Sequence, residues 1–202
     1  MDNNRGLLIA ISGPSGTGKG TVVSELLKKD KRLKLSVSVT TRKPREGEVD
    51  GVNYHFRSLD EFKEMLHNKE FLEHMEVYGN CYGTNKNIVE DMLNNGYDVI
   101  LEIDTFGAMN VKESMSDAVC IFILPPSLEE LKNRLVGRGT ESEADIIKRF
   151  SEATKEIDRA KKYDYVVIND KVECCANRIL SIISSEKSRV KRNLELINSY
   201  KK

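Results

Sequence analysis

Short apolar runs alternate along the chain with stretches whose apolar residues recur every three or four positions. Leu7–Ser12 precedes a helical pattern over Thr21–Lys29, and Val99–Ile103 precedes one starting near Thr105. Val119–Leu124 precedes Ser127–Val136, where Leu128, Leu131 and Leu135 fall on one face. Tyr165–Ile168 precedes a long terminal helix carrying Ile179, Ile182 and Ile183. Runs that are apolar at consecutive positions have both faces buried, as strands of a parallel sheet do. Their alternation with helices predicts an α/β doubly wound fold, a parallel sheet flanked by helices. Capping boxes at Ser58/Glu61, Ser127/Glu130 and Thr140/Glu143 mark further helix starts.

Two stretches break the pattern. Between about Lys34 and Asn85, alternating Val, Tyr and Phe with glycine turns at Gly47, Gly51, Gly79 and Gly83 predict antiparallel strands, a mixed β region inserted into the core. From about Pro126 to Lys161 the chain is polar, helical and rich in arginine. With 202 residues and no repeat or linker, one domain is expected. Its core takes residues 1–33, 91–125 and 162–202, the inserted β region 34–90, and a helical lid 126–161.

Thirty-two Lys+Arg balance 32 Asp+Glu, which removes the basic excess of a nucleic-acid coater. No run of 18 apolar residues exists, so no membrane helix is expected. Leu7–Ile11 is too short for the core of a signal peptide. Cys81, Cys120, Cys174 and Cys175 form no disulfide framework, which fits a reducing, cytoplasmic setting. His55, His67 and His74 lack metal-ligand spacing. The basic tail, with Lys187, Arg189, Lys191, Arg192, Lys201 and Lys202, reads as the solvated side of the terminal helix, and Val190, Leu194 and Ile197 leave monomer or homodimer open.

Chemistry concentrates first after the leading strand. Gly13-Pro14-Ser15-Gly16-Thr17-Gly18-Lys19 fits the G-x-x-x-x-G-K frame of a phosphate-binding loop. Its glycines let successive N–H groups turn toward phosphate oxygens, the following helix adds its positive end, and Lys19 supplies a full charge. Gly20 stands where a Ser or Thr would ligate Mg²⁺, so the hydroxyl is missing or comes from Thr21. The metal is then held by phosphates, waters and a carboxylate, with no direct protein ligand assigned. The loop alone does not choose between GTPase, ATPase and kinase. Asp104-Thr105-Phe106-Gly107 matches a GTPase D-x-x-G, but Asn85-Lys86-Asn87-Ile88 lacks the Asp of a guanine box.

A second anion site lies in Thr40–Phe56. Arg42 and Arg45 flank Pro44, and two guanidinium forks at this spacing can grip one phosphate. Tyr54 offers a hydroxyl, Tyr82 and Thr84 offer more, and Glu73 is a possible acceptor. Glu102 and Asp104, two apart at the end of a strand, share a face toward the ligand crevice. One acid suits magnesium's waters and the other an acceptor base.

With Gly13–Thr21, Thr40–Phe56, Phe71–Glu73, Asn80–Thr84, Leu101–Asp104, Pro125–Arg138, Glu141–Arg149 and Asn169-Asp170, the sequence resembles guanylate kinases over nearly its whole length. The resemblance implies transfer of phosphate from MgATP to GMP, both small-molecule partners. It implies Arg42, Arg45, Tyr54 and Tyr82 on the GMP phosphate and Ser38, Glu73, Thr84 and Asp104 around guanine, leaving Glu102 less settled. A carboxylate suits guanine, whose N1–H and 2-amino group are adjacent donors, and mismatches adenine. Lys19, Arg134, Arg138 and Arg149 would meet the charge of the transferring group. Gly13–Thr21 would bind ATP, with Arg138, Asn169 and Asp170 near adenine. Phe106 departs from the family pattern, which has Gln before Gly107. Two alternatives stay open: an adenylate-kinase-like enzyme, since Gly20-Thr21 also occurs there, and a noncatalytic guanylate-kinase-like module, which typically has a degraded phosphate loop.

Overall fold

A computed structural model describes residues 5–77, 79–136 and 143–200; the side chains at 135 and 143–149 lie outside that description. The elements run β1 (Leu8–Ser12), α1 (Lys19–Lys29), β2 (Leu33–Leu35), β3 (Val39–Thr40), β4 (His55–Phe56), α2 (Leu59–His67), β5 (Phe71–Val77), β6 (Asn80–Asn85) and α3 (Lys86–Asn94). Then follow β7 (Asp98–Glu102), α4 (Thr105–Ser114), β8 (Val119–Leu124), α5 (Leu128–Val136), α6 (Glu143–Arg159), β9 (Tyr165–Ile168), α7 (Val172–Lys187) and α8 (Leu194–Ser199).

Five strands form a parallel sheet in the order β2-β7-β1-β8-β9. Strand alternation explains why β1 is apolar throughout. Leu7, Ile9 and Ile11 face α1 and α7, meeting Val22, Val23, Leu26, Ile179 and Ile183. Leu8 packs on the opposite side with Val89, Leu93 and Val111 of α3 and α4, and Ala10 lies there with Ala108. Burial on both faces is what a central parallel strand requires. The core sheet also takes in β2, which straddles the expected boundary at residue 33, and α3, which straddles the one at residue 90, packs against it.

The second sheet has the order β4-β3-β6-β5. Its β3–β6 and β5–β6 pairs are antiparallel as the pattern predicts, but β3 and β4 are parallel. The reason is the connection: residues 41–54 form a long excursion rather than a hairpin turn, and a long return lets strands run the same way.

The capping box at Ser58/Glu61 is complete, with Glu61 N donating to the Ser58 hydroxyl at 3.2 Å and Ser58 N to the Glu61 carboxylate at 2.7 Å. Ser127 accepts from Glu130 N at 3.0 Å. Thr140 lies outside the described residues. The terminal helix is shorter than its pattern suggests. Asn193 donates its side-chain amide to the carbonyls of Lys187 (2.8 Å) and Arg189 (2.9 Å), closing α7, and a 3-10 turn follows at Val190–Arg192. The basic tail is therefore not one solvated helix face. Lys187 pairs with the fully buried Asp98, Arg189 with Glu186, and Lys191 with Asp117. Among the described residues no helix is long and apolar enough to cross a membrane.

Candidate active site

β1, at the centre of the sheet, delivers the phosphate loop. Ser12 is buried and donates its hydroxyl to the carbonyls of Ile103 (2.9 Å) and Asp104 (3.0 Å), tying the loop's start to the exit of β7. Gly13 has no room for a side chain: a Cβ there would lie 2.3 Å from the Ile123 carbonyl oxygen. Gly18 is the left-handed N-cap of α1, with φ 82°. The loop closes on itself through Thr17, whose N–H and hydroxyl both reach the Pro14 carbonyl. α1 has no side-chain cap and no acid in its first turn, which leaves its positive end for an anion. Lys19 curls back over the loop, donating to the carbonyls of Gly13 (2.5 Å) and Pro14 (3.2 Å).

A cleft of about 560 Å³ opens here, at the C-terminal ends of the parallel strands. Gly13, Ser15 and Lys19 of the phosphate loop line it, and Ser38, Tyr54, Glu73, Tyr82, Glu102 and Asp104 are among the other residues that do. Thr84 stands behind Glu73, donating its hydroxyl to that carboxylate at 2.6 Å, and both residues are buried. Burial holds Glu73 above the usual carboxylate range, with the Thr84 hydroxyl pulling the other way and Asp104 adding to the rise. Glu102 is open to the cleft, yet the surrounding walls raise its pKa while Lys19 opposes the rise. A Cβ at Gly20 would sit 3.5 Å and 3.6 Å from the two Glu102 oxygens, so α1 faces this carboxylate closely.

Asp104 does not share a strand face with Glu102. β7 ends at Glu102, and Asp104 is the N-cap of α4, accepting from Phe106 N (2.8 Å) and Gly107 N (2.7 Å). The helix start consumes one carboxylate oxygen and turns the residue out of the strand's alternation.

Arg42 and Arg45 do not line the cleft. The Arg42 guanidinium lies over the rings of Tyr54 (5.3 Å) and Phe56 (5.8 Å). It forks onto Glu48 at 2.8 Å and 2.9 Å, and Glu48 also accepts from Arg45 N at 2.7 Å. These contacts hold Glu48 down at about 2. A carboxylate from the same turn thus occupies the fork that spacing alone offers to a phosphate.

Arg134 donates to Glu130 at 2.8 Å and reaches the Asn169 carbonyl at 3.5 Å. Asn169, buried at the end of β9, donates its amide to the Thr17 carbonyl at 2.7 Å. It braces the loop. Asp170 is engaged elsewhere, paired with Arg178 at 2.9 Å and 3.2 Å and held at about 2 by that guanidinium. Arg138 lies outside the described residues. Arg149 lies on the backbone of α6, its side chain outside the description.

Sequence reasoning missed Glu156 and Arg159. Glu156 lines the cleft; burial raises its pKa, and Lys19 opposes the rise. Arg159 lies 3.9 Å from the Phe106 ring centre and donates to the Thr105 hydroxyl at 3.0 Å. Glu156 falls seven residues after Arg149, hence on the same helical face, and that spacing is the signal that points to it. Among the described residues, no group of three or more His, Cys, Asp or Glu could hold a metal ion.

The family pattern described as guanylate kinase matches residues 5–186. The chain is 56% identical over 193 residues to the guanylate kinase of Clostridioides difficile, covering 96% of this chain and 94% of the relative. It is 56% identical over 192 residues to that of Caldanaerobacter subterraneus, covering 95% and 93%. The crystal structure of guanylate kinase from Anaplasma phagocytophilum superposes with a TM-score of 0.77 at 36% identity, over 94% of this chain and 90% of that one.

Proposed function

The chain belongs to the guanylate kinase family, and we infer that its central cleft moves the γ-phosphoryl group of ATP onto the phosphate of GMP, giving ADP and GDP. One observation carries this reading. The lysine-bearing phosphate loop and the acceptor-side residues Tyr54, Glu73, Tyr82 and Asp104 line a single cleft, which lets donor and acceptor meet inside it.

On the donor side, Gly13–Thr21 cradles the ATP phosphates, and Lys19 leaves the loop carbonyls for the β and γ oxygens. Asn169 keeps the loop's shape. On the acceptor side, Glu73 takes the two adjacent donors of guanine, held in place by Thr84, with Asp104 and Ser38 beside it. Arg42, Arg45, Tyr54 and Tyr82 take the GMP phosphate, which adds to or displaces Glu48 at the Arg42 fork. Adenine presents an acceptor where guanine has N1–H, and a buried carboxylate rejects it strongly.

The segment 126–161 acts as a lid and 34–90 as the acceptor-binding region. Arg134, Arg138 and Arg149 meet the charge that spreads over the transferring group. The GMP phosphate oxygen is already anionic near neutral pH, so no side chain need act as general base.

The cleft fits magnesium bound through water. Glu102 beside Gly20 provides a carboxylate at the phosphate loop, and a hard, reluctantly dehydrated ion needs few protein ligands. Glu102 would hold the waters of an ion bound with ATP, which would supply neutralisation of phosphate charge. A reducing cytoplasm is the setting that four unpaired cysteines fit.

The experiment offers MgATP with GMP, dGMP, AMP, CMP, UMP or dTMP and measures ADP release. GMP-dependent release is expected. Preference for AMP would move the protein to an adenylate-kinase-like activity, and no release with any acceptor would make it a noncatalytic module.

A further inference from the structure

We propose that Gly107, through the side chain it lacks, sets where the Glu73 carboxylate sits and so governs discrimination between guanine and a purine without the 2-amino group; this rests on the reading of Glu73 as the guanine acceptor. Gly107 is the third residue of α4, buried against β5. A Cβ at this position would lie 2.8 Å from Glu73 Oε2 and 3.3 Å from its carboxyl carbon. The other oxygen, Oε1, is held by the Thr84 hydroxyl at 2.6 Å. The carboxylate is thus gripped between a hydroxyl on β6 and bare helix backbone on α4.

Glycine is a poor helix residue, and here its smallness has a spatial use. α4 cannot yield easily, because Gly107 N is committed to Asp104 at 2.7 Å and the helix is capped there. The atoms that a methyl group would meet are the end of a side chain, so the fold can survive while the carboxylate retreats. Reaching ordinary contact distance takes a movement of about 0.5–1 Å. Guanine recognition needs both oxygens in register with N1–H and the 2-amino group. A shift of that size spoils a two-point fit more than a one-point contact.

The test compares kcat/KM for GMP with that for IMP, the same nucleotide without the 2-amino group, at fixed MgATP. Wild type, Gly107→Ala and Glu73→Gln are measured. Gly107→Ala is expected to lower the GMP:IMP ratio about tenfold with KM for ATP unchanged. A wild-type ratio in Glu73→Gln would overturn the guanine-pocket reading and this inference with it. A collapsed ratio in Glu73→Gln beside a wild-type ratio in Gly107→Ala would overturn this inference alone. Should Gly107→Ala purify poorly, melting temperatures decide: the loss caused by the added methyl should shrink in the Glu73→Asp background, where the carboxylate is one methylene shorter. Equal losses in both backgrounds would sink the idea.

Discussion

Asn169 and Thr17 are 152 residues apart in sequence, and the amide of the first donates to the carbonyl of the second at 2.7 Å. The end of the edge strand β9 thereby fixes the shape of a loop that leaves the central strand β1. Replacing Asn169 with Ala strands a buried carbonyl, which costs about 1–3 kcal/mol. A lower melting temperature and a KM for ATP about tenfold higher are expected, with KM for GMP nearly unchanged. Thermal unfolding and steady-state kinetics check both.

Lys19 and Arg42 stand at opposite ends of the transfer and should fail differently. Lys19→Ala is expected to cut kcat by about 10²–10³ or more, since it removes a positioned charge on the transferring group. Arg42→Ala is expected to raise KM for GMP about tenfold or more while kcat changes little. Unchanged GMP affinity in the Arg42 variant would contradict its place on the acceptor phosphate.

Glu73 gives the enzyme a pH signature. Its folded pKa lies above the ordinary glutamate value, chiefly through burial. The folded chain therefore holds this proton more tightly than the unfolded chain. Its contribution to stability is greatest in acid and is lost as pH rises through the folded pKa. Binding runs the other way, because a neutral carboxyl cannot accept from both guanine donors. KM for GMP should climb on acidification, starting above the range where a solvated glutamate titrates. The Glu73→Gln variant should show a high KM without that climb.

Lys187 closes α7 onto Asp98, which is fully buried and also accepts from Leu7 N at 2.9 Å. Lys187→Met leaves that carboxylate without its cation. A fully buried pair broken this way costs about 3–5 kcal/mol. The lysine is about one-third exposed, so a loss of about 2 kcal/mol is expected. Urea unfolding measures it, and kcat at low temperature should stay near wild type.

The central strands β1, β7 and β8 were readable because burial on both faces writes an uninterrupted apolar run, as in Val119–Leu124, whereas the edge strand β2, three residues long with a lysine in its middle, carries no such run. The phosphate loop was readable because only glycine and lysine at fixed spacing serve that geometry. Asp104 was misread as a strand residue because period-two reasoning has no way to sense that the strand stops at Glu102 and a helix begins. Glu156 and Arg159 were hidden among many charged residues of a polar helix; their use depends on how α6 lies over the cleft. The turn around Arg42 looked like an open anion grip because Glu48, three residues beyond Arg45, is an ordinary surface acid until the loop folds back.

β1 precedes the other strands of the sheet in sequence and occupies its middle. Its parallel neighbours are β7, ending at residue 102, and β8, ending at residue 124, while the helix that covers its α1 face extends to residue 187. α1, close behind in sequence, can cover Leu7, Ile9 and Ile11 on one face early, but the edges of β1 wait for β7 and β8 and its other face for α3 and α4. Such non-local pairing is slow to assemble and leaves sticky segments uncovered on the way. During translation β1 therefore has both edges unpaired until residue 102 is made, and one edge open until β8 follows, an interval in which exposed strand edges favour misassembly.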